Sequence, residues 1–399
     1  MVLKSSKTAV LAAAIALVAT VTLAGCQGGS SAGAGSDIVV GSVNSLTGAI
    51  AFPESSAAAK AYFDKVNASG GVNGHKIDYR IEDDKNDPQT AAQAARKLID
   101  QEGVVAMAGG ASILECSANS ALYQQRGILS VPGTGVDPFC FNTPNIAPPN
   151  GGPIQGLALG LEMASTDLKA SHVCAIGLNV QANVPGWEAR VKDWEASKGK
   201  TITLENFGLS PTQDYTPVVS QVKNAGCDAV VFVTNDVQAI AIAQAAKAQN
   251  ATDIAFIGLT SIYNESVARA VPEGVRMYAV SEFLPYLGSD AADLKDWRET
   301  MKAGGVPESS FSQGGYLAAK ILVSALKTIK GEVTRKSVTE ALHKVTAFKD
   351  PLMGNAYSFA PANAHAPNRS AFLVEVTGGA WKPVTGDWTR LPAGQATTN

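Results

Sequence analysis

Short apolar runs alternate with amphipathic helical patterns from Asp37 to Val280, and few folds accept that alternation. Parallel strands joined by right-handed helical crossovers are the main solution, with helices covering both faces of each sheet. The run Val104-Val105-Ala106-Met107-Ala108 stops at Gly109-Gly110-Ala111-Ser112 and reads as a buried strand opening onto a helix from Ile113 to Tyr123, with Ser112 as its N-cap. Strands are likewise predicted over Asp37 to Val43, Lys76 to Glu82 and Gly127 to Val131. Ser55 or Ser56 is expected to cap a helix running to Val66, and Asp87-Pro88 to start another. In a doubly wound sheet the crevice lies beyond the carboxyl ends of the strands. Three such ends carry small or hydroxylated residues: Asn44 to Gly48, Gly109 to Ser112, and Pro132 to Gly135.

Asn145 to Pro153 is rich in Pro, Asn and Gly and reads as a crossing to a second body. A second series follows, with strands at His172 to Gly177, Thr201 to Glu205, Ala229 to Thr234, Ile254 to Gly258 and Val275 to Val280. Helices are predicted over Asp293 to Ala303, Phe311 to Lys330 and Val333 to Val345. The tail turns to short strands at Ala356 to Phe359, then a hairpin about Gly378-Gly379. The fold class is α/β: two doubly wound, Rossmann-like lobes.

The first 25 residues read as an export signal, with Lys4 and Lys7 ahead of an apolar stretch from Ala9 to Leu23 that is short for a membrane span. Leu23-Ala24-Gly25-Cys26 resembles the lipobox of bacterial lipoproteins, which implies cleavage before Cys26 and a lipid on its thiol. Residues 26–36, almost wholly Gly, Ser and Ala, read as a flexible tether. Loss of Lys4 and Lys7 takes the formal charge from −3 to −5, which gives no reason to expect nucleic acid as a partner. With 46% apolar residues the remainder can fill two cores.

Four further cysteines remain: Cys116, Cys140, Cys174 and Cys227. An even number in an exported chain favours disulfides, and four cysteines allow three connectivities. The pairing expected is Cys116–Cys140, helix to following loop, and Cys174–Cys227, between the starts of two neighbouring strands. No C-x-x-C occurs and only His172 lies near these cysteines, so neither a metal nor another cofactor is expected.

Ile38-Val39-Val40-Gly41, Leu46-Thr47-Gly48, Asn67-Ala68-Ser69-Gly70-Gly71-Val72-Asn73-Gly74, Asp83-Asp84 with Asp87-Pro88, and Gly109-Gly110-Ala111-Ser112 occur in that order. This series resembles the type I periplasmic binding proteins, above all the branched-chain amino acid and amide binders that feed ABC importers, over roughly Asp37 to Trp388. The resemblance implies a three-crossing hinge, with residues 37–150 and 282–345 in lobe 1, 151–281 and 346–388 in lobe 2, and 389–399 as a tail. It implies a ligand between the lobes, its carboxylate on Ser112 and on Gly133, Thr134 and Gly135, with Phe52 over it. From lobe 2 the matching positions are Asn183, Asn235, Asp236 and Thr260. Trp187, close to the second-lobe loop, is expected to help Phe52 enclose the apolar part.

The sequence departs from the amino-acid binders where they carry a glutamate for the ligand ammonium, since here the stretch is Gly258-Leu259-Thr260-Ser261; Pro185 also stands where tyrosine is common. A buried ammonium without an anionic partner costs several kcal/mol. Either Asp236 or Glu54 supplies that charge, or the ligand is not an α-amino acid.

The function these features imply is capture, without catalysis, of a small amino-acid-like, amide or carboxylate solute by a monomer anchored to the outer face of the cytoplasmic membrane, for delivery to an ABC permease. The alternatives are a lipid-anchored sensor and an exported α/β hydrolase. Against a hydrolase, no Gly-x-Ser-x-Gly elbow joins a strand to a helix, and His75, His172, His343 and His365 lie away from the strand carboxyl ends.

Overall fold

A computed structural model describes residues 36–392 except 49, 366 and 367; the expected leader, Cys26, nearly all of the tether and residues 393–399 lie outside the described residues. The first series runs β1 (Ile38–Asn44), α1 (Pro53–Ala68), β2 (Ile77–Asp83), α2 (Pro88–Arg96), β3 (Ala106–Ala108), α3 (Glu115–Arg126) and β4 (Ser130–Val131). The second runs α4 (Gly152–Thr166), β5 (Val173–Leu178), α5 (Val184–Lys198), β6 (Leu204–Leu209), α6 (Thr216–Asn224), β7 (Ala229–Val233), α7 (Asp236–Ala248), β8 (Ala255–Gly258), α8 (Glu265–Ala270) and β9 (Arg276–Ser281). Helices α9 (Lys295–Gly304), α10 (Ser310–Leu326) and α11 (Arg335–Leu342) follow, then β10 (Ser370–Thr377), β11 (Ala380–Pro383) and β12 (Thr389–Arg390). Among the described residues no helix is long and apolar enough to cross a membrane.

The strands form two sheets. The first is wholly parallel in the order β2-β1-β3-β4; the second runs β11-β10-β9-β8-β7-β5-β6, with β12 beside β10. Burial explains the parallel pairing, because every residue of β5, β7 and β8 is inaccessible and such strands need helices on both faces. Helices α9 and α10 return to pack on α1, whereas the hairpin β10–β11 extends the second sheet through antiparallel pairing with β9.

Local chemistry accounts for most element ends. Asp87 accepts from Thr90 N at 2.7 Å ahead of Pro88, and Gly127 closes α3 in the left-handed conformation. Gly378 and Gly379 both have positive φ, as a two-residue hairpin turn requires. Other expectations fail for tertiary reasons. Helix α1 begins at Pro53, and Ser55 and Ser56 lie buried inside it, Ser55 Oγ donating to Gly109 O at 2.8 Å. Helix α3 starts two residues after the predicted point because Ser112 turns the chain first. β4 keeps two residues, β6 starts at Leu204, and the strand expected at Ala356 to Phe359 is one bridge between Phe348 and Tyr357. Both disulfides pair as expected, Cys116–Cys140 with Cα atoms 5.0 Å apart and Cys174–Cys227 with 6.0 Å.

Candidate functional site

In the first sheet β1 lies between β2 and β3, and in the second β5 lies between β6 and β7. At both places the winding reverses, which opens a crevice at the carboxyl ends of the central strands. The residues there are Asn44 to Gly48 and Gly109 to Ser112 on one side, Asn179 to Asn183 and Thr234 to Asp236 on the other.

The first-lobe rim is fastened by buried side chains. Asn44 accepts from Ala111 N at 2.7 Å and donates to Phe52 O at 3.2 Å, so it joins the ends of β1 and β3 to the start of α1. Asp84, wholly buried, accepts from Ser45 Oγ, from Asn86 N and from Ser112 Oγ. Asp83 accepts from Leu46 N and Thr47 Oγ1 and holds the loop that follows β1. Gly109 must be glycine: its φ is +76° and an added Cβ would stand 2.3 Å from that of Ala59. Under this rim Glu115 accepts from Tyr123 Oη at 2.8 Å and Ser130 Oγ at 3.4 Å; burial pushes its carboxyl up to about 8.

Ser112, expected to hold a ligand carboxylate, is buried with its hydroxyl committed: it donates to Asp84 and accepts from Leu114 N and Glu115 N at 2.9 Å. The hydroxyl braces the turn that leads into α3, whose N-cap is Leu114 and not Ser112 as expected. Gly133 faces α10 and Ser55, where a Cβ would stand 2.7 Å from Gly315 N and 2.3 Å from Ser55 Oγ. Thr134 is nearly buried beside it and pairs with Ala111. Gly135 turns toward Asn150, which accepts from its N–H at 2.8 Å and donates to its carbonyl at 3.1 Å. Phe52 is half-buried at the start of α1 and its ring lies 4.6 Å from that of Phe311 on α10.

The second-lobe rim is sparser. Asn183 is buried before α5, its Oδ1 without a hydrogen-bond partner. Asn235 is exposed and forms a capping box with Gln238 at the start of α7, and Asp236 beside it is half-buried. Thr260 turns away from the crevice: its Oγ1 donates to Val280 O and accepts from Glu282 N. Trp187 does not enclose a ligand. It is 1% exposed and packs inward on Phe207 at 5.4 Å, because the inner face of α5 is part of the second core.

One cavity of about 540 Å³ spans both sides, lined by Glu54 of α1, Asp236 of α7, Asn264 and Glu265 by α8, and Tyr286 and Glu308 from the return toward α10. Glu265 pairs with Arg269 and Glu308 with Arg298. Among the described residues no cation pairs with Glu54 or Asp236, and no Lys or Arg lines the cavity. A space of this size suits a small molecule, and its polarity suits a cationic or amide group. Cys116, Asp137 and Cys140 converge within 4.8 Å, but both sulfurs are in a disulfide and neither offers a thiolate. Sequence reasoning marked Asn44 only as the first residue of a strand-end loop and did not single out Asn150 or Glu282. Of those two, Asn150 alone carried a signal, through the Asn- and Pro-rich crossing around it.

Two α/β lobes thus flank a cavity of small-molecule size, lined by Glu54 of α1 on one side and Asp236 of α7 on the other. The family profile described as "Periplasmic binding protein" matches residues 37–380, and the chain belongs to that family. It is 26% identical over 323 residues to the Leu/Ile/Val-binding protein homolog 8 of Brucella abortus, covering 74% of this chain and 77% of that one. The fold is similar to that of the branched-chain amino acid transporter substrate binding protein LivJ of Streptococcus pneumoniae in complex with isoleucine, with TM-score 0.74, 18% identity and coverage of 89% and 100%. It is also similar to an ABC transporter solute binding protein of R. palustris in complex with 4-hydroxybenzoate, with TM-score 0.73, 15% identity and coverage of 89% and 97%. These relatives are binding proteins, and the family implies export.

Proposed function

We propose that this protein captures a small amino-acid-like, amide or carboxylate solute between its lobes and delivers it, unaltered, to an ABC permease while anchored through a lipid on Cys26. The observation that carries this reading is the cavity bounded by α1 on one side and α7 on the other, with Glu54 and Asp236 both lining it and neither ion-paired. These carboxylates take the place of the glutamate missing near Thr260 and face the ligand's ammonium or amide end. Phe52, half-buried two residues before Glu54, borders its remainder, whereas Thr134, nearly buried beside Ala111, lies outside the lining of this cavity. Lobe 1 comprises residues 37–150 with 282–367 and lobe 2 residues 151–281 with 368–388, because residues 346–367, expected in lobe 2, hold to lobe 1 through Asp350 to Lys320, Tyr357 Oη to Ala147 O and His365 to Pro144 O, and closure about the crossings near 150, 282 and 368 traps the solute. The named ligands of similar proteins, isoleucine and 4-hydroxybenzoate, support a small solute with a carboxylate and an apolar body.

A thermal-shift panel of amino acids, amides, aromatic acids and short organic acids tests the reading, because a ligand at 100 times its Kd adds about 2.7 kcal/mol to stability. Hits are expected among zwitterions and amides, and they should weaken in Glu54→Gln and Asp236→Asn. Turnover of a hit during calorimetry would refute the binding-protein reading. Loss of membrane association in Cys26→Ser tests the anchor.

A further inference from the structure

Three segments of chain meet in a buried polar cluster beneath the cleft, and Asn150 stands at its centre. Its side-chain amide makes both bonds to Gly135 that a neighbouring strand would make: Oδ1 accepts from Gly135 N at 2.8 Å and Nδ2 donates to Gly135 O at 3.1 Å. The same Nδ2 lies 3.2 Å from Glu282 Oε2. Asn368 closes the cluster, its N–H donating to Asn150 O at 3.2 Å and its Nδ2 to Glu282 O at 2.7 Å. Asn150, Glu282 and Asn368 are 1%, 4% and 4% exposed. The packing leaves no slack, because a Cβ on Gly151 would stand 2.7 Å from Asn368 O, and one on Gly135 2.7 Å from Pro148 Cγ.

We propose that Asn150 is a positioning residue for the strand end at Gly135, and that its hold is set by the proton on Glu282, so that the hinge and the ligand-facing loop loosen together when that proton leaves. The inference rests on the two-lobed solute-binding reading. Among the described residues, what faces Glu282 is neutral: the Asn150 amide, Gly152 N–H at the start of α4, Thr260 after β8, and Asn368, with no charged or titratable side chain facing it from these elements. A carboxylate buried with two donors and no cation is strongly disfavoured. It is relieved by drawing Asn150 Nδ2 wholly away from Gly135, or by admitting water between the crossings. Burial, opposed by the Asn150 and Gly152 hydrogen bonds, pushes the Glu282 carboxyl up to about 7, within the range an extracytoplasmic protein meets. An acid that is raised in the packed form and ordinary in the solvated form favours packing at low pH, and the loosened hinge gains as pH rises from about 4.5 toward 7.

The test uses spin labels on Lys60→Cys in α1 and Lys192→Cys in α5 of the full chain, with pulsed-dipolar distances recorded without ligand at pH 5.5 and 8.5. The wild-type distribution should broaden at the higher pH. Glu282→Gln should keep the narrow form at both pH values, and Asn150→Ala the broad form at both. A pH response surviving in Glu282→Gln, none in the wild type, or a narrow Asn150→Ala at pH 5.5 would each overturn the proposal. Hydrogen exchange at the Gly135 amide of the unsubstituted protein needs no variant: corrected for intrinsic rate, its protection should fall about tenfold between the two pH values, and unchanged protection would overturn the proposal. Neither readout uses a solute, so each stands or fails separately from the capture reading.

Discussion

The two rims of the cleft are built on the same strand order but differ in what holds them. On the first, Asn44, Asp83, Asp84 and Ser112 tie the ends of β1, β2 and β3 to one another through buried hydrogen bonds. On the second, Asn235 caps only its own helix, and Val180 and Val237 are exposed by 43% and 68%. A rim whose polar groups are all engaged is a rigid platform, whereas one with spare carboxylate and exposed apolar side chains can meet a ligand. Substitutions on the first should therefore act on stability, and on the second on binding.

The largest effect belongs to Asp84→Ala. It leaves Ser45, Ser112 and Asn86 N without their acceptor in a wholly buried place, so roughly 3–5 kcal/mol should be lost in urea unfolding. A loss under about 1 kcal/mol would mean that the first rim is not rigidly held.

Each lobe has its own disulfide, which sharpens the comparison. Removing either by paired Cys→Ala substitution should cost about 2–4 kcal/mol, and chain entropy makes the Cys174–Cys227 loop, 53 residues apart against 24, about 0.7 kcal/mol the more costly. The opposite order would place the dominant constraint in the first lobe.

Glu115 gives the first rim a pH signature. Its carboxyl is raised from 4.5 to about 8, foremost by burial, so the folded chain keeps a proton that the unfolded chain releases. Stability contributed by this site therefore falls as pH rises from about 4.5 to 8 and is level above that. The change should amount to at most about 5 kcal/mol and be absent in Glu115→Gln when chemical unfolding is followed across this range. A slope unchanged in that variant would assign it elsewhere.

Ser112→Ala should cost about 1–2 kcal/mol of stability, because two backbone donors lose their acceptor and Asp84 a donor. Unchanged stability with binding weakened tenfold or more would show that the hydroxyl serves the ligand instead.

How much of this was legible follows from how local each signal is. Asp83-Asp84, Asp87-Pro88 and Asn73-Gly74 announce turns and caps through residues a few positions apart, and the structure uses them so: Asn73 and Gly74 both have positive φ, and Asp83 and Asp84 brace the first loop. Both cysteine pairs were readable because each joins neighbours in the alternation. Ser112 shows the opposite case, since its partner Asp84 is 28 residues away and nothing local says whether the hydroxyl faces a ligand or a carboxylate. Trp187 was misread because periodicity in α5 does not reveal which stripe meets the sheet. The Asn150–Glu282 contact joins residues 132 apart through topology alone.

The smallest change should come from Asp236→Asn, which tests the second rim where the comparison is most exposed to failure. Asp236 is half-buried, and among the described residues its side chain makes one hydrogen bond, its Oδ1 accepting from Val237 N, the next residue, at 2.8 Å. Asparagine keeps that acceptor, and no ion pair is broken, so stability should stay within about 0.5 kcal/mol of the parent. Binding is another matter, because a carboxylate lining the cavity attracts a ligand ammonium that an amide does not. Calorimetry with a zwitterionic hit should show affinity falling by about 1.5–3 kcal/mol, while an uncharged amide loses far less. Equal losses for both solutes would remove charge from the account of the second rim, and a large loss of stability would show that it is as tightly wired as the first.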